Sequence, residues 1–428
     1  MEPLNVAPSQ KTALALWLVI SLFFLWALTA NLLPSLIPHL KKACQLSDFQ
    51  SAFIDSSYWV AYFVMAFPAG LIIRKYSYKI GIIAGLLIAM LGALLFYPAA
   101  ELRTFGFFLV ALFLIAGGMS FLETAANPYV TLLGNPSGAS QRLNFAQAFN
   151  GLGAFISAFF LSKVILSGKE YTPAQTQAMT PAVLQQYLAG ESARVKVPYL
   201  CIALVLFLVA LLFILIRLPK VKEENKVRFK IDFSVFRHSH FTLGVIAQFF
   251  YVGAQVCISS FFIRYCKYSA GLPEISATNY LGYLLLFFMI GRYVGSLAML
   301  KVKPQALLAW FSAANILLLF HIVLIGGKSS VYAMMAVEFF MSIMFPTIFA
   351  LAITGLGEQA KIGSSFLVMS IVGGAILPLL LGFISWKYNI MAAYAVPLVC
   401  FFFVFYYGYR GYRLKDRLTL QNYFKALT

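Results

Sequence analysis

The chain has 428 residues, of which 61% are hydrophobic and 11% charged, and its formal net charge is +18. A soluble core of this size leaves much of that apolar surface without a partner, so lipid has to cover it. The basic excess does not point to nucleic acid, because the Lys and Arg residues fall between long apolar runs, where they orient a membrane chain.

A helix that crosses the hydrocarbon needs about 20 mostly apolar residues. Runs at 13–38, 50–73, 79–99, 105–133, 143–166, 198–218, 241–265, 278–301, 305–325, 331–355, 360–385 and 393–410 predict twelve such spans. The segment ahead of the first, MEPLNVAPSQK, has no basic region followed by a short apolar stretch and a small-residue cleavage site, so the first run reads as a retained helix. Arg74, Lys75 and Lys79, then Lys220, Lys222, Lys226, Arg228, Lys230 and Arg237, then Arg410, Arg413, Lys415 and Arg417 all fall on one side. By the positive-inside rule that side is cytoplasmic, and so are both termini. The expected organisation is an N-terminal six-helix bundle (1–218), a basic cytoplasmic linker (219–240), and a C-terminal six-helix bundle with its tail (241–428). The outer loop 167–197 contains TPAQTQAMTPAVLQQYLAGE and reads as a mobile cap or surface elaboration.

Span four, FLVALFLIAGGMSFLETAANPYVTLLG, carries Glu123 at its centre. A charge there costs at least about 2.5–3.5 kcal/mol by insertion scales, and such groups face cavities or proton paths. Asn127 lies four residues on and shares its helix face. Span five places Asn144, Gln147 and Asn150 on one stripe beside Gly151 and Gly153, and span seven does the same with Gln248, Tyr251, Gln255 and Ser259. Amides both donate and accept, which suits a neutral polyol such as a sugar. Trp26, Tyr251 and Phe345 are aromatic groups suited to its apolar face. Pro128 and Pro346 hold equivalent places in spans four and ten, as expected of repeated halves with a midplane site between them.

The five Cys (44, 201, 257, 266, 400) show no metal-ligand spacing and read as packing residues, and the four His (39, 238, 240, 321) are not paired within a span. No catalytic constellation, metal site or organic cofactor is expected, which disfavours a membrane enzyme.

The strings SLFFLWALTANLLPSLIPHL, FPAGLIIRKYSYKIGIIAGL, LETAANPYVTLLG, RLNFAQAFNGLGA, AQFFYVGAQV and FMSIMFPTIFAL closely resemble the L-fucose permease branch of the major facilitator superfamily, in order along nearly the whole chain. The resemblance implies an all-α transporter of twelve transmembrane helices in two six-helix bundles, in a bacterial inner membrane, coupling proton and monosaccharide uptake by alternating access. It assigns Glu123 to proton coupling and sugar recognition, and Asn31, Gln147 and Asn150 to the sugar. The expected sugar-contacting set is therefore Asn31, Glu123, Asn127, Gln147, Asn150, Tyr251, Gln255 and Phe345.

One departure is conspicuous. The family pattern has an Asp in span one where ANLLPSLIP places Pro34, and proline carries no proton. Glu338, two turns before Phe345 in span ten, and Asp55, near the outer end of span two, are the carboxylates available to replace it. Arg292 in span eight is a partner for Glu338 or an anchor for its own helix. Glu338 itself has a structural reading as a salt bridge or a bond to a neighbouring helix. The coupling ion is then a proton or sodium, or the carrier is uncoupled. A functional monomer is expected, since two halves enclose one path.

Overall fold

In hydrocarbon every backbone N–H and C=O has to be bonded within the structure, which restricts spanning segments to helices and closed barrels. The computed structural model describes residues 10–32, 36, 39–40, 43–46, 48–157, 175, 178–219 and 233–414, and these form helices and the turns between them. Helices α1 (Gln10–Ala30), α2 (Asp48–Lys75), α3 (Tyr78–Leu102), α4 (Phe105–Leu132) and α5 (Ala139–Ile156) supply spans one to five. Helix α6 (Pro181–Ala193) precedes α7 (Lys196–Leu215), which is span six. Spans seven to nine are α8 (Ser239–Ala270), α9 (Glu274–Ala298) and α10 (Pro304–Leu324).

The last three spans are interrupted. Span ten is α11 (Gly327–Met341) and α12 (Met344–Ile353). Span eleven is α13 (Ala360–Met369) and α14 (Gly373–Lys387), joined by the 3-10 turn Ser370–Val372. Span twelve is α15 (Ile390–Ala393) and α16 (Ala395–Tyr406), ending in a π turn at Tyr407–Gly411. Among the described residues ten stretches are long and apolar enough to cross a membrane. The shorter Leu14–Ala30 and the more polar α5 bring the set to twelve.

Two spans differ from expectation at their ends. The continuous helix of span one stops at Ala30, with Asn31 and Leu32 in a turn, and Pro34 lies outside the described residues. Span five starts at Ala139 and takes in Arg142, whose guanidinium donates to the carbonyls of Val130 (3.3 Å), Thr131 (2.7 Å) and Asn135 (2.7 Å). Those carbonyls lie at and just beyond the end of α4; Val130 and Asn135 also accept from the N–H groups of Leu133 and Gly138, and Arg142 adds a side-chain cap across all three.

In the first bundle α1 packs on α5, α2 and α3 pack on α4, and α7 packs on α3. In the second, α8 packs on α14 and α16, while α10 packs on α11 and α16, and α9 on α11. The bundles meet where α2 lies on α13 and where α5 lies on α9 and α12. Gly70 is pressed against Ser365 there, and Asn144 Nδ2 donates to Thr347 Oγ1 at 3.0 Å. These contacts lie toward the end at which residues 219 and 233 emerge, called here the junction end.

At the opposite end α6 is fastened down, so a mobile cap is not what residues 181–193 form. Ser192 Oγ donates to the Ala100 carbonyl at 2.8 Å and Arg103 donates to Gln185 at 2.7 Å. Glu191 is buried 3.7 Å from the buried His39.

Candidate functional site

The LETAANP sequence puts Glu123 on the face of α4 that turns inward, and the residue is only 8% exposed. Tyr62 of α2 faces its carboxylate. Tyr58, one turn away on α2, holds its ring 5.1 Å from that of Tyr62. Neither tyrosine was anticipated from the sequence. The signal present was their spacing of four, which gives them one helix face, but it is masked by the aromatic run SYWVAYF.

Asn127 stands on the same face as Glu123, and its Oδ1 accepts from Gln147 Nε2 at 3.3 Å. Gln147 and Asn150 are then gathered by a residue from the other bundle. Arg292 of α9 donates through Nη1 to the Gln147 carbonyl at 2.5 Å, to Gln147 Oε1 at 3.1 Å and to Asn150 Oδ1 at 3.1 Å. Its Nε donates to the carbonyl of Ser342 at 3.1 Å, and its guanidinium lies over the Phe288 ring at 4.6 Å. At Gly151 α5 faces Met289 and the Arg292 stem, which a Cβ there would meet at the ordinary contact distances of 3.6 and 3.7 Å, so the approach does not depend on glycine.

Arg292 thus does more than anchor its own helix: it ties α5 to α9 and the break in span ten. Glu123 and Glu338, one from each bundle, are both within its electrostatic range. Glu338 is 1% exposed and its Oε1 accepts from Ser259 Oγ at 3.0 Å, a bond to a neighbouring helix of the kind expected. Tyr251 and Phe345 pack edge to face at 6.5 Å and form the neighbouring wall.

Several buried polar atoms here are without a hydrogen-bond partner: Asn127 Nδ2, the Tyr251 hydroxyl, Asn144 Oδ1 and both amide atoms of Gln248. Each such group costs about 1–3 kcal/mol. They give the centre unused donors and acceptors beside an already polar network.

Other expected residues fall elsewhere. Asn31 donates to the Ala27 carbonyl of its own helix at 2.8 Å, and Trp26 packs on Phe23 with ring centres 4.4 Å apart. Gln255 is half-buried, and its backbone carbonyl accepts from Ser259. The side chain of Asp55 lies outside the described residues.

The centre therefore holds two carboxylates, one guanidinium and a set of amides and phenols at the bundle interface. With all three charged groups ionised it carries a net −1, and leaving a buried charge uncompensated costs several kcal/mol. One bound monovalent cation, a proton included, balances it. Amides and aromatic rings are the group types that suit the two chemical faces of a small polyol.

This arrangement of helices and this interface site are those of a secondary transporter. The model of the Major Facilitator Superfamily matches residues 18–378, and the chain belongs to that family. It is 40% identical over 416 residues to the L-fucose-proton symporter of Escherichia coli (strain K12), covering 94% of each chain. It is 39% identical over 407 residues to a glucose/galactose transporter of Brucella abortus, covering 94% of this chain and 95% of that one. The crystal structure of the transporter FucP in the outward conformation matches with a TM-score of 0.88 at 38% identity, over 93% of this chain and 99% of that one. The resemblance first carried by LETAANP and the span-five amides thus extends over more than nine-tenths of the chain.

Proposed function

We propose that this protein takes up a neutral monosaccharide together with a proton, by alternating access between two six-helix bundles comprising residues 1–218 and 241–428. The observation that carries the reading is the network at the bundle interface, in which Glu123, Asn127, Gln147 and Asn150 of the first bundle converge on Arg292 of the second. Its relatives of the L-fucose and glucose/galactose type support the choice of sugar class.

In this reading Glu123 holds the coupling proton and the amides of α5 bind sugar hydroxyls, with Asn127 Nδ2 and the Tyr251 hydroxyl adding unspent donors. Tyr251 and Phe345 cover the apolar sugar face. Binding favours closure, rocking of the bundles opens the junction end, and the proton leaves there. The membrane potential drives this with about 2.3 kcal/mol per charge per 100 mV. The chain sits in the bacterial inner membrane with both termini and the linker cytoplasmic, acts as a monomer, and moves its substrate without changing it chemically.

Pro34 favours one alternative, since the acid expected in span one is missing: a sodium-coupled or uncoupled hexose or amino-sugar carrier. A single experiment separates them. L-Fucose, D-glucose, D-galactose and N-acetylglucosamine are added in turn to energised cells, with and without sodium. Sodium-independent alkalinisation of the medium with one sugar is the expected result. Uptake that needs sodium, or uptake with no proton movement, would replace the proton reading.

A further inference from the structure

The centre contains one carboxylate more than this cycle uses. Glu338 is carried by α11 and accepts from Ser259 on α8. The charged and titratable groups facing it from the packed elements are Arg292 of α9, Tyr251 of α8, and Tyr394 between α15 and α16. Arg292 reaches this neighbourhood at one defined point, the Ser342 carbonyl. Ser342 is four residues beyond Glu338, one helical turn along the same face.

The other arm of the same guanidinium points away, across the interface, to Gln147 and Asn150. Those are the oxygens a sugar would need. A sugar that takes the two side-chain oxygens, Gln147 Oε1 and Asn150 Oδ1, leaves that arm only the Gln147 backbone carbonyl, and an under-compensated cation at this depth opposes binding. Relief lies one turn away: with Nε kept on Ser342, a side-chain rotation carries Nη1 from α5 toward the carboxylate on α11, where a charge-assisted bond replaces the lost ones.

We propose that Glu338 is the dock for Arg292 in the sugar-loaded state: the sugar displaces the guanidinium from Gln147 and Asn150, and Glu338 receives it. The inference rests on the reading of those two amides as sugar ligands. The loaded centre then holds ionised Glu338, Arg292 and protonated Glu123, neutral with one proton per sugar. Glu338 is a positioning residue in this scheme, and the coupling proton stays with Glu123.

The test uses vesicles reconstituted with the full chain and whichever of L-fucose, D-glucose and D-galactose the wild type transports. In Glu338→Gln the guanidinium has no dock, so KM for sugar exchange rises about tenfold, as for loss of a bond between charged groups. The proton-to-sugar ratio stays as in the wild type. Removing the latch as well, in Arg292→Met with Glu338→Gln, brings KM back toward the wild-type value. Glu338→Asp keeps the charge and holds KM within about threefold, the effect of a small change in hydrogen-bond geometry; this variant carries the test if Glu338→Gln does not fold. An unchanged KM in Glu338→Gln, a lost proton-to-sugar ratio, no recovery in the double variant, or a tenfold rise in Glu338→Asp would each overturn the proposal. Glu123→Gln, measured in parallel, reports on proton coupling separately, so the transport reading and the docking role can fail independently.

Discussion

Arg292 Nε donates to the carbonyl of Ser342 at 3.1 Å, and that carbonyl is available because the residue four positions on is Pro346. Proline has no N–H, so the helix cannot close its own hydrogen bond there. Helix α11 accordingly stops at Met341 and α12 restarts at Met344, and the freed acceptor becomes the anchor of a guanidinium that joins the bundles.

Pro346→Ala returns the missing N–H and sets it in competition with Arg292. An interior proline costs a helix about 3 kcal/mol, so the melting temperature of the detergent-solubilised protein is expected to hold or rise. The maximal uptake rate is expected to fall severalfold. A variant with an unchanged rate would mean that the anchor has no part in the cycle.

Glu123→Gln keeps the shape of the side chain and its place facing Tyr62, while removing the ionisable group. Accumulation of sugar against its gradient is expected to vanish, and exchange of sugar across the membrane to persist. Counterflow and pH-driven uptake in the same vesicles read the two apart. Uphill uptake at the wild-type level would remove Glu123 from coupling.

How much of this was legible in the sequence depends on whether the signal was local. Glu123, Asn127, Gln147 and Asn150 were legible as buried polar groups because helical spacing puts them on faces that hydrocarbon would reject, and the structure brings the three amides into one network. Tyr58 and Tyr62 were not, because tyrosines in an aromatic-rich span look like packing. Arg292 was seen as a buried charge, but its reach to α5 depends on which helices meet, and no spacing within one helix encodes that. The breaks in spans ten, eleven and twelve were also missed. Pro346 marked the first in hindsight, while Ser370–Val372 has no proline to announce it. Asn31 shows the limit of spacing: its Nδ2 bonds to its own helix, and a side chain that does so gives the same sequence pattern as one that faces a ligand.

Gly70 on α2 faces Ser365 on α13, and a Cβ there would also lie 3.4 Å from the Lys361 carbonyl. No room exists for a side chain while the bundles touch at the junction end. Gly70→Leu is therefore expected to wedge α2 and α13 apart and favour the state open at that end. Spin labels on the α2–α3 turn and at the start of α13 should report a longer separation than in the parent protein. Equal distances would show that the contact is not a gate.

Gly85 on α3 and Gly118 on α4 each face the carbonyl of the other, with Cβ positions 2.8 and 2.5 Å from those oxygens. Between membrane helices small residues permit the close packing that replaces a hydrophobic driving force. Adding a methyl at Gly118 pushes against backbone, which cannot rotate aside as a side chain can, and overpacking of this kind costs about 1–3 kcal/mol. Gly106, near the start of the same helix, has open space where its Cβ would be. Gly106→Ala gains the helix preference of alanine over glycine, about 0.5–1 kcal/mol in soluble hosts. Gly118→Ala should therefore lower the melting temperature in detergent and Gly106→Ala should hold or raise it. If both shifted alike, helix propensity and not the α3–α4 contact would be setting the response.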